Sequence, residues 1–254
     1  MNDTLRTIDE RRSTRQYLDK EISKEHKEII LNAAINAPTA GNMLLYSIID
    51  VTDQDKKEIL SVLCDNQPFI KNGSMVLVFV ANSKKWYDVY NQVNEKEVKP
   101  SLADFYLSMA DAHIAAENAV IAAESLGIGS CYIGDIVENY EKLKELLNLP
   151  KYINPICMLV FGYKKDDKIA PKARRFSLGD VVFENEYNEK SFETFVNKFS
   201  YLENKEEQEK KAVQLVNATF RAKMSQEFFK EMNRSLRLMI EEYLDDYFNN
   251  IVLK

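Results

Sequence analysis

Met75-Val76-Leu77-Val78-Phe79-Val80-Ala81 is an unbroken apolar run, rich in β-branched and aromatic side chains, with no polar position to turn toward water. A strand that is apolar on both faces has to be covered on both faces, so this stretch predicts a central strand in a sheet carrying helices. Leu44 to Val51 has similar composition and reads as a neighbouring strand, with Asp53 to Leu63 as a short helix between the two. Downstream, Cys131-Tyr132-Ile133 reads as a short strand between Gly127-Ile128-Gly129-Ser130 and Gly134-Asp135. Ile156 to Phe161 reads as another, after a helix from about Asn139 to Leu147. Upstream, Ile29, Ile30, Ala33, Ala34 and Ala37 recur at helical spacing behind a candidate N-cap, Ser23, and before a stop, Pro38. Helices and strands alternate, which fits an α/β sheet and equally an α+β sheet with antiparallel pairs.

Ser101, with Asp104 three residues later, is a capping-box signature opening an alanine-rich run that reaches Leu126 and stops at Gly127. Its alanines, with Met109, Ile114, Val120 and Ile121, predict a helix buried around much of its circumference, and such a helix needs close neighbours, a second subunit among them. His113 reads as a packing or capping residue of this helix and not as a metal ligand. Beyond Ser200, Glu203 to Lys211 reads as a solvated charge run. It precedes Val213, Val216, Phe220, Met224, Phe228, Met232, Leu236, Met239 and Tyr243, spaced by threes and fours as an amphipathic helix broken once. We therefore expect a main domain over 1–200 and a helical extension over 201–254 that packs on the oligomer.

The 254 residues are 45% hydrophobic and 29% charged, as expected of a globular protein with one large core. Against 40 acidic residues stand 34 Lys and Arg, a net charge of -6 that argues against a nucleic-acid partner. The polar start, Met1 to Glu10, predicts no secretory signal, and no apolar run is long enough to span a bilayer. Cys64, Cys131 and Cys157 are widely spaced, without a Cys-x-x-Cys pair, so we expect a reducing cytoplasm, no disulfide framework and no zinc site. His26 and His113 are too few for a histidine metal centre or triad.

Two basic clusters stand out in this acidic chain: Arg11-Arg12-Ser13-Thr14-Arg15 and Pro171-Lys172-Ala173-Arg174-Arg175. Either alone reads as a solvated surface run. Together they suggest two halves of a clamp on one phosphate, because guanidinium forks match phosphate oxygens and lysine adds a mobile charge. Pro38-Thr39-Ala40-Gly41-Asn42 combines a fixed φ, a permissive glycine and short polar side chains, which suits bringing backbone amides to a ligand; a plain connecting loop has the same composition.

Taken in order, Arg11-Arg12-Ser13-x-Arg15, Ala37-Pro38-Thr39-Ala40-Gly41-Asn42-Met43, Gly127-Ile128-Gly129-Ser130-Cys131-Tyr132-Ile133-Gly134 and Lys172-x-Arg174 resemble the nitroreductase family of FMN flavoproteins. The resemblance covers roughly Leu5 to Tyr187. It implies a homodimer of α+β, three-layer fold, with a mostly antiparallel central sheet flanked by helices and two FMN sites at the subunit interface. Electrons then pass from NADH or NADPH to nitroaromatics, quinones or free flavins in ping-pong fashion. It further implies that Arg11, Lys172 and Arg174 hold the FMN phosphate, with Arg12 and Ser13 at the phosphate or ribityl chain. Arg15 and Gln67 would meet the pyrimidine edge of the isoalloxazine. Pro38, Thr39 and Ala40, within the loop ending at Asn42, would line the flavin from the other subunit. Tyr132, Ile133 and Gly134 would lie along the opposite side, with the Gly134 amide near N5. No side chain is expected to do covalent chemistry, since flavin N5 carries the hydride.

Three departures accompany the resemblance. Leu44 stands where many relatives carry glutamine, Asp135 replaces a frequent glycine beside the N5-facing turn, and Lys164 replaces a frequent proline. The alternatives are a flavin reductase, a reductive dehalogenase-like relative, or a flavin-binding redox sensor whose helical tail docks a partner.

Overall fold

The computed structural model describes residues 1–165, 174–189, 191–224 and 227–251. Its strands are β1 (Tyr46–Asp50), β2 (Met75–Ala81), β3 (Ile128–Ile133) and β4 (Asn154–Tyr163), in the order β1-β2-β4-β3. Each adjacent pair is antiparallel, with Leu77 opposite Leu159 and Cys131 opposite Val160. The fold is therefore α+β, and β2 is buried along its whole length, as its sequence requires.

The strand ends differ from the sequence expectations for local reasons. β1 starts at Tyr46 and not Leu44 because Leu44 adopts φ 49°, off the strand conformation. β3 begins at Ile128, since Gly129 pairs with Gly162 and extends the ladder through residues whose composition argues against a strand. β4 starts before Ile156 because Pro155, which has no amide hydrogen to give, falls at the β2–β4 register shift beside Val80.

The sheet is flanked by α1 (Asp3–Glu10), α2 (Lys24–Ile35), α3 (Gln54–Leu63), α4 (Lys84–Asn94), α5 (Leu102–Ser125) and α6 (Tyr140–Leu146). Ser23 caps α2 by accepting from the His26 amide, Asp53 caps α3, and Ser101 with Asp104 forms the expected box on α5. Ala112, Ala115, Ala116, Ala119 and Ala123 of α5 are fully buried, and their small side chains let α5 lie close to the sheet and to α2. His113 places Nδ1 2.9 Å from the Met109 carbonyl of its own helix. Helices α1 and α4 bury no residue, although α4 carries Trp86, Val89, Tyr90 and Val93 at helical spacing.

Two compact units result, one of Met1–Asp167 with Glu231–Lys254 and one of Lys168–Lys230. The second contains α7 (Leu178–Val181), α8 (Phe192–Asn197), α9 (Lys205–Thr219) and a π turn over Phe220–Met224. The charge run expected to precede a helix is instead the first turns of α9. Asn204 Oδ1 accepts from the Glu206 and Glu207 amides, and both acidic side chains sit where the helix dipole favours them. In the same helix Val213 and Val216 are largely exposed, as is Phe220 just beyond it, so this half of the apolar stripe does not pack inward.

The other half does. In α10 (Glu227–Ile251), Met239 and Tyr243 are fully buried in the first unit, with Met232 and Leu236 partly so; the side chains of Met224 and Phe228 lie outside the description. Tyr243 stacks on Phe105 with ring centroids 4.8 Å apart and donates to the Tyr152 carbonyl at 3.0 Å. Beside it, the Glu242 carboxylate accepts from Lys144 Nζ at 2.5 Å, the Tyr152 amide at 2.9 Å and Asn154 Nδ2 at 3.4 Å. Among the described residues no helix is long and apolar enough to cross a membrane.

Candidate functional site

The N-terminal basic segment is held against the edge of the sheet. Thr14 donates its amide to the Ser130 carbonyl at 2.8 Å, Leu18 donates to Tyr163, and Lys165 donates back to Gln16. Ser13 bridges Ser130, and Tyr17 bridges Lys164. Two glycines make this approach possible. A Cβ on Gly129 would stand 2.4 Å from Thr14 Oγ1, and one on Gly162 would stand 2.7 Å from the Tyr17 ring. The Tyr17 hydroxyl donates to the Thr14 carbonyl at 2.7 Å and lies 3.1 Å from the Val160 carbonyl, and burial pushes it far above its ordinary pKa.

The arginines of this segment differ in what they do. Arg12 turns back on α1, where Nη1 donates to the carbonyls of Asp9, Glu10 and Arg11 and counters the negative end of the helix dipole. Arg11 and Arg15 instead approach Cys131 on β3. Burial raises that thiol's pKa, while Arg15 and then Arg11 oppose the rise and Asp135 adds to it. The Arg15 guanidinium also stands 6.0 Å from the centre of the Phe69 ring.

At the exit of β3, Ile133 is buried, so it offers only its backbone to a ligand. Tyr132 is half-buried and donates its hydroxyl to Glu117 Oε2 at 3.1 Å. Gly134 is exposed, with nothing within 4 Å of where a Cβ would point. Gln67 reaches this turn from α3's end: Nε2 donates to the Cys64 carbonyl at 2.9 Å and to Asp135 Oδ2 at 2.6 Å. It is therefore a half-buried, engaged residue and not a free surface amide. Glu138 is buried behind the same turn; burial first, then Asp135, Asp65 and Glu231, push its pKa up to about 7.

The Pro38–Asn42 loop is organised by a residue the sequence reading missed. Asp111, buried on α5, accepts from the Thr39 hydroxyl, from the Ala40 amide at 3.0 Å and from the Leu45 amide at 3.1 Å. Thr39 Oγ1 in turn accepts from the Leu44 amide at 2.8 Å. Pro38 and Asn42 are exposed, and Gly41 and Asn42 both take left-handed backbone angles. Leu44, the residue in place of a polar one, packs against the core. The available signal for Asp111 was an acid flanked by Ala110 and Ala112 within an alanine-rich run, since a buried carboxylate requires donors. Lys164, the third departure, pairs with Glu124 of α5 at 2.5 Å.

In the second unit, Arg174 stacks over the Tyr201 ring at 4.3 Å. Lys172 lies outside the described residues. The first unit thus brings together Arg11, Arg15, Gln67, Tyr132 and Gly134, with the Thr39 loop fixed separately on α5. Among the described residues no cluster of His, Cys, Asp or Glu suits a metal ion.

A sequence model described as the Nitroreductase family matches residues 8–163. The chain belongs to the nitroreductase family. The matched span contains the N-terminal basic segment, the Thr39 loop, Gln67 and the β3 exit. Among its relatives in the family, the chain is 30% identical over 190 residues to the FMN reductase (NADPH) of Bacillus subtilis, covering 74% of this chain and 76% of the relative. It is 31% identical over 189 residues to the oxygen-insensitive NADPH nitroreductase of Salmonella typhimurium, covering 74% and 75%. The nitroreductase fold extends beyond the matched span: the structure of B. megaterium NfrA2 superposes with a TM-score of 0.80 at 29% identity, covering 96% of this chain and 98% of that one.

Proposed function

We propose that this chain is an FMN-dependent oxidoreductase that takes two electrons from NADPH or NADH and delivers them to a nitroaromatic, a quinone or free flavin. The observation that carries this reading is the gathering of Arg11, Arg15 and Gln67 around the side-chain-free Gly134 turn at the end of β3. The donor set fits the group. Two permanent cations suit a phosphorylated, electron-accepting heterocycle, a carboxamide suits its pyrimidine edge, and a glycine leaves the ring room to approach. FMN supplies the hydride acceptor when bound; the protein supplies binding, orientation and electrostatics.

In this assignment Arg11 grips the phosphate, Ser13 lies beside it, and Arg12 acts by fixing the end of α1. Arg15 faces the N1 and C2-oxygen region and favours the negative charge that reduction leaves there. Tyr132, Ile133 and Gly134 border one side of the ring, while Pro38, Thr39, Ala40 and Asn42 reach it from a second subunit. The exposed apolar face of α5, with Leu102, Tyr106, Leu107 and Ile114, supports a homodimer in which residues 201–254 add to the packing. Three free, buried thiols suit a reducing cytoplasm.

The test is direct. Purified protein carries a yellow chromophore released as FMN on denaturation, bleaches anaerobically with NADPH or NADH, and recovers its colour with a nitroaromatic, a quinone or added FMN. Parallel double-reciprocal lines are expected, because donor and acceptor use one open face in turn. A protein that binds no flavin, or whose flavin neither nicotinamide reduces, overturns the assignment.

A further inference from the structure

Asp65 at φ 60° and Asn66 at φ 51° turn the chain back after α3, and the Gln67 side chain that follows reaches the turn after β3. Its Nε2 has two partners, the Cys64 carbonyl and the Asp135 carboxylate, and both are acceptors. Only the NH2 end of a carboxamide can face two acceptors, so chemistry fixes the orientation of this amide. With both N–H bonds committed, Oε1 is the remaining polar atom, and among the described residues no donor is placed against it.

We propose that Asp135 is a positioning residue that locks the Gln67 carboxamide with its oxygen outward, so that this chain presents an acceptor, and not a donor, to the flavin's pyrimidine edge. The inference rests on the FMN reading above and concerns what this chain does at that edge. In oxidised flavin the edge carries two carbonyl oxygens flanking one N–H, at N3. An acceptor-only Gln67 pairs with N3–H and leaves a carbonyl oxygen to Arg15. A glycine at 135 supplies no such lock, and the amide is then free to turn either end toward the ring.

The experiment compares binding of FMN and N3-methyl-FMN, which lacks the N3 hydrogen, to flavin-free protein. Wild type is expected to prefer FMN by about tenfold, the scale of one hydrogen bond left unmade. In Q67A and in D135A the preference falls to about twofold or less. In D135N it stays near the wild-type value, because the asparagine oxygen still accepts from Gln67 Nε2. Each preference is a ratio within one variant, so a general loss of affinity cancels. A wild type that discriminates little between the two flavins, or a D135A variant that discriminates as wild type does, overturns the lock and leaves the FMN reading standing. A wild type that binds neither flavin overturns the FMN reading itself.

Discussion

Asp111 shows what one buried side chain can control. It takes two hydrogen bonds from the loop that we place against the flavin and a third from Leu45 just beyond it, so D111A strands the Thr39 hydroxyl and the Ala40 and Leu45 amides together. We expect a loss of about 3 kcal/mol in urea denaturation, with T39S within about 0.5 kcal/mol of wild type. Arg15 makes a different prediction. Unit charges about 4 Å apart at an effective dielectric of ~20 interact by ~4 kcal/mol before desolvation. Since ~1.4 kcal/mol corresponds to about 30 mV for a two-electron couple, R15A should lower the bound-flavin potential by some tens of millivolts in a spectroelectrochemical titration. Glu138 gives a pH signature. Its folded pKa, about 7, lies above the ordinary 4.5, so the folded state binds this proton more tightly than the unfolded chain, and that contribution to stability is lost as pH rises through about 7. Wild type should therefore lose stability relative to E138Q between about pH 5 and pH 8, read by thermal melts. Arg11 and Arg15 were legible in sequence because charge crowded into five residues is visible locally. Asp111 was not, since its partners lie far away in the chain, and Asp135 was visible as a departure but without its distant partner Gln67.

At the scale of elements, the decisive contact is the strap that the segment from Ser13 to Leu18 forms over β3 and β4. G129A should push Thr14 off the strand, destabilise the fold by about 1–3 kcal/mol and weaken FMN retention, because Arg11 and Arg15 ride on the displaced segment. Intact flavin occupancy on gel filtration of G129A would contradict this coupling. The central strand, the capping box on α5 and the helix behind Ser23 could be read from pattern alone, as each depends on residues within its own span. Gly129 and Gly162 could not: glycine weakens a strand by composition, and only the approach of Thr14 and Tyr17 explains its presence. The charge run from Glu203 is solvated as its composition predicts, and the Asn204 cap makes it also the start of α9.

For the whole molecule, the antiparallel order of the sheet was open to the alternation of elements and closed by strand pairing. The exposed apolar residues of α5 predict a solution mass twice 29.4 kDa by light scattering. L107E should shift that mass to the monomer and release FMN, since Thr39 and its neighbours are assigned to the partner's site. The sequence showed one apolar stripe after Ser200, but burial divides it, with Met239 and Tyr243 inside the first unit. That division has a consequence for synthesis. The residues that clasp the start of β4 emerge from the ribosome about ninety positions after their targets, and the Tyr243 ring comes later still relative to Phe105. Phe105 of α5 and the start of β4 therefore wait uncovered, and chaperone occupancy should persist until Tyr243 has left the exit tunnel.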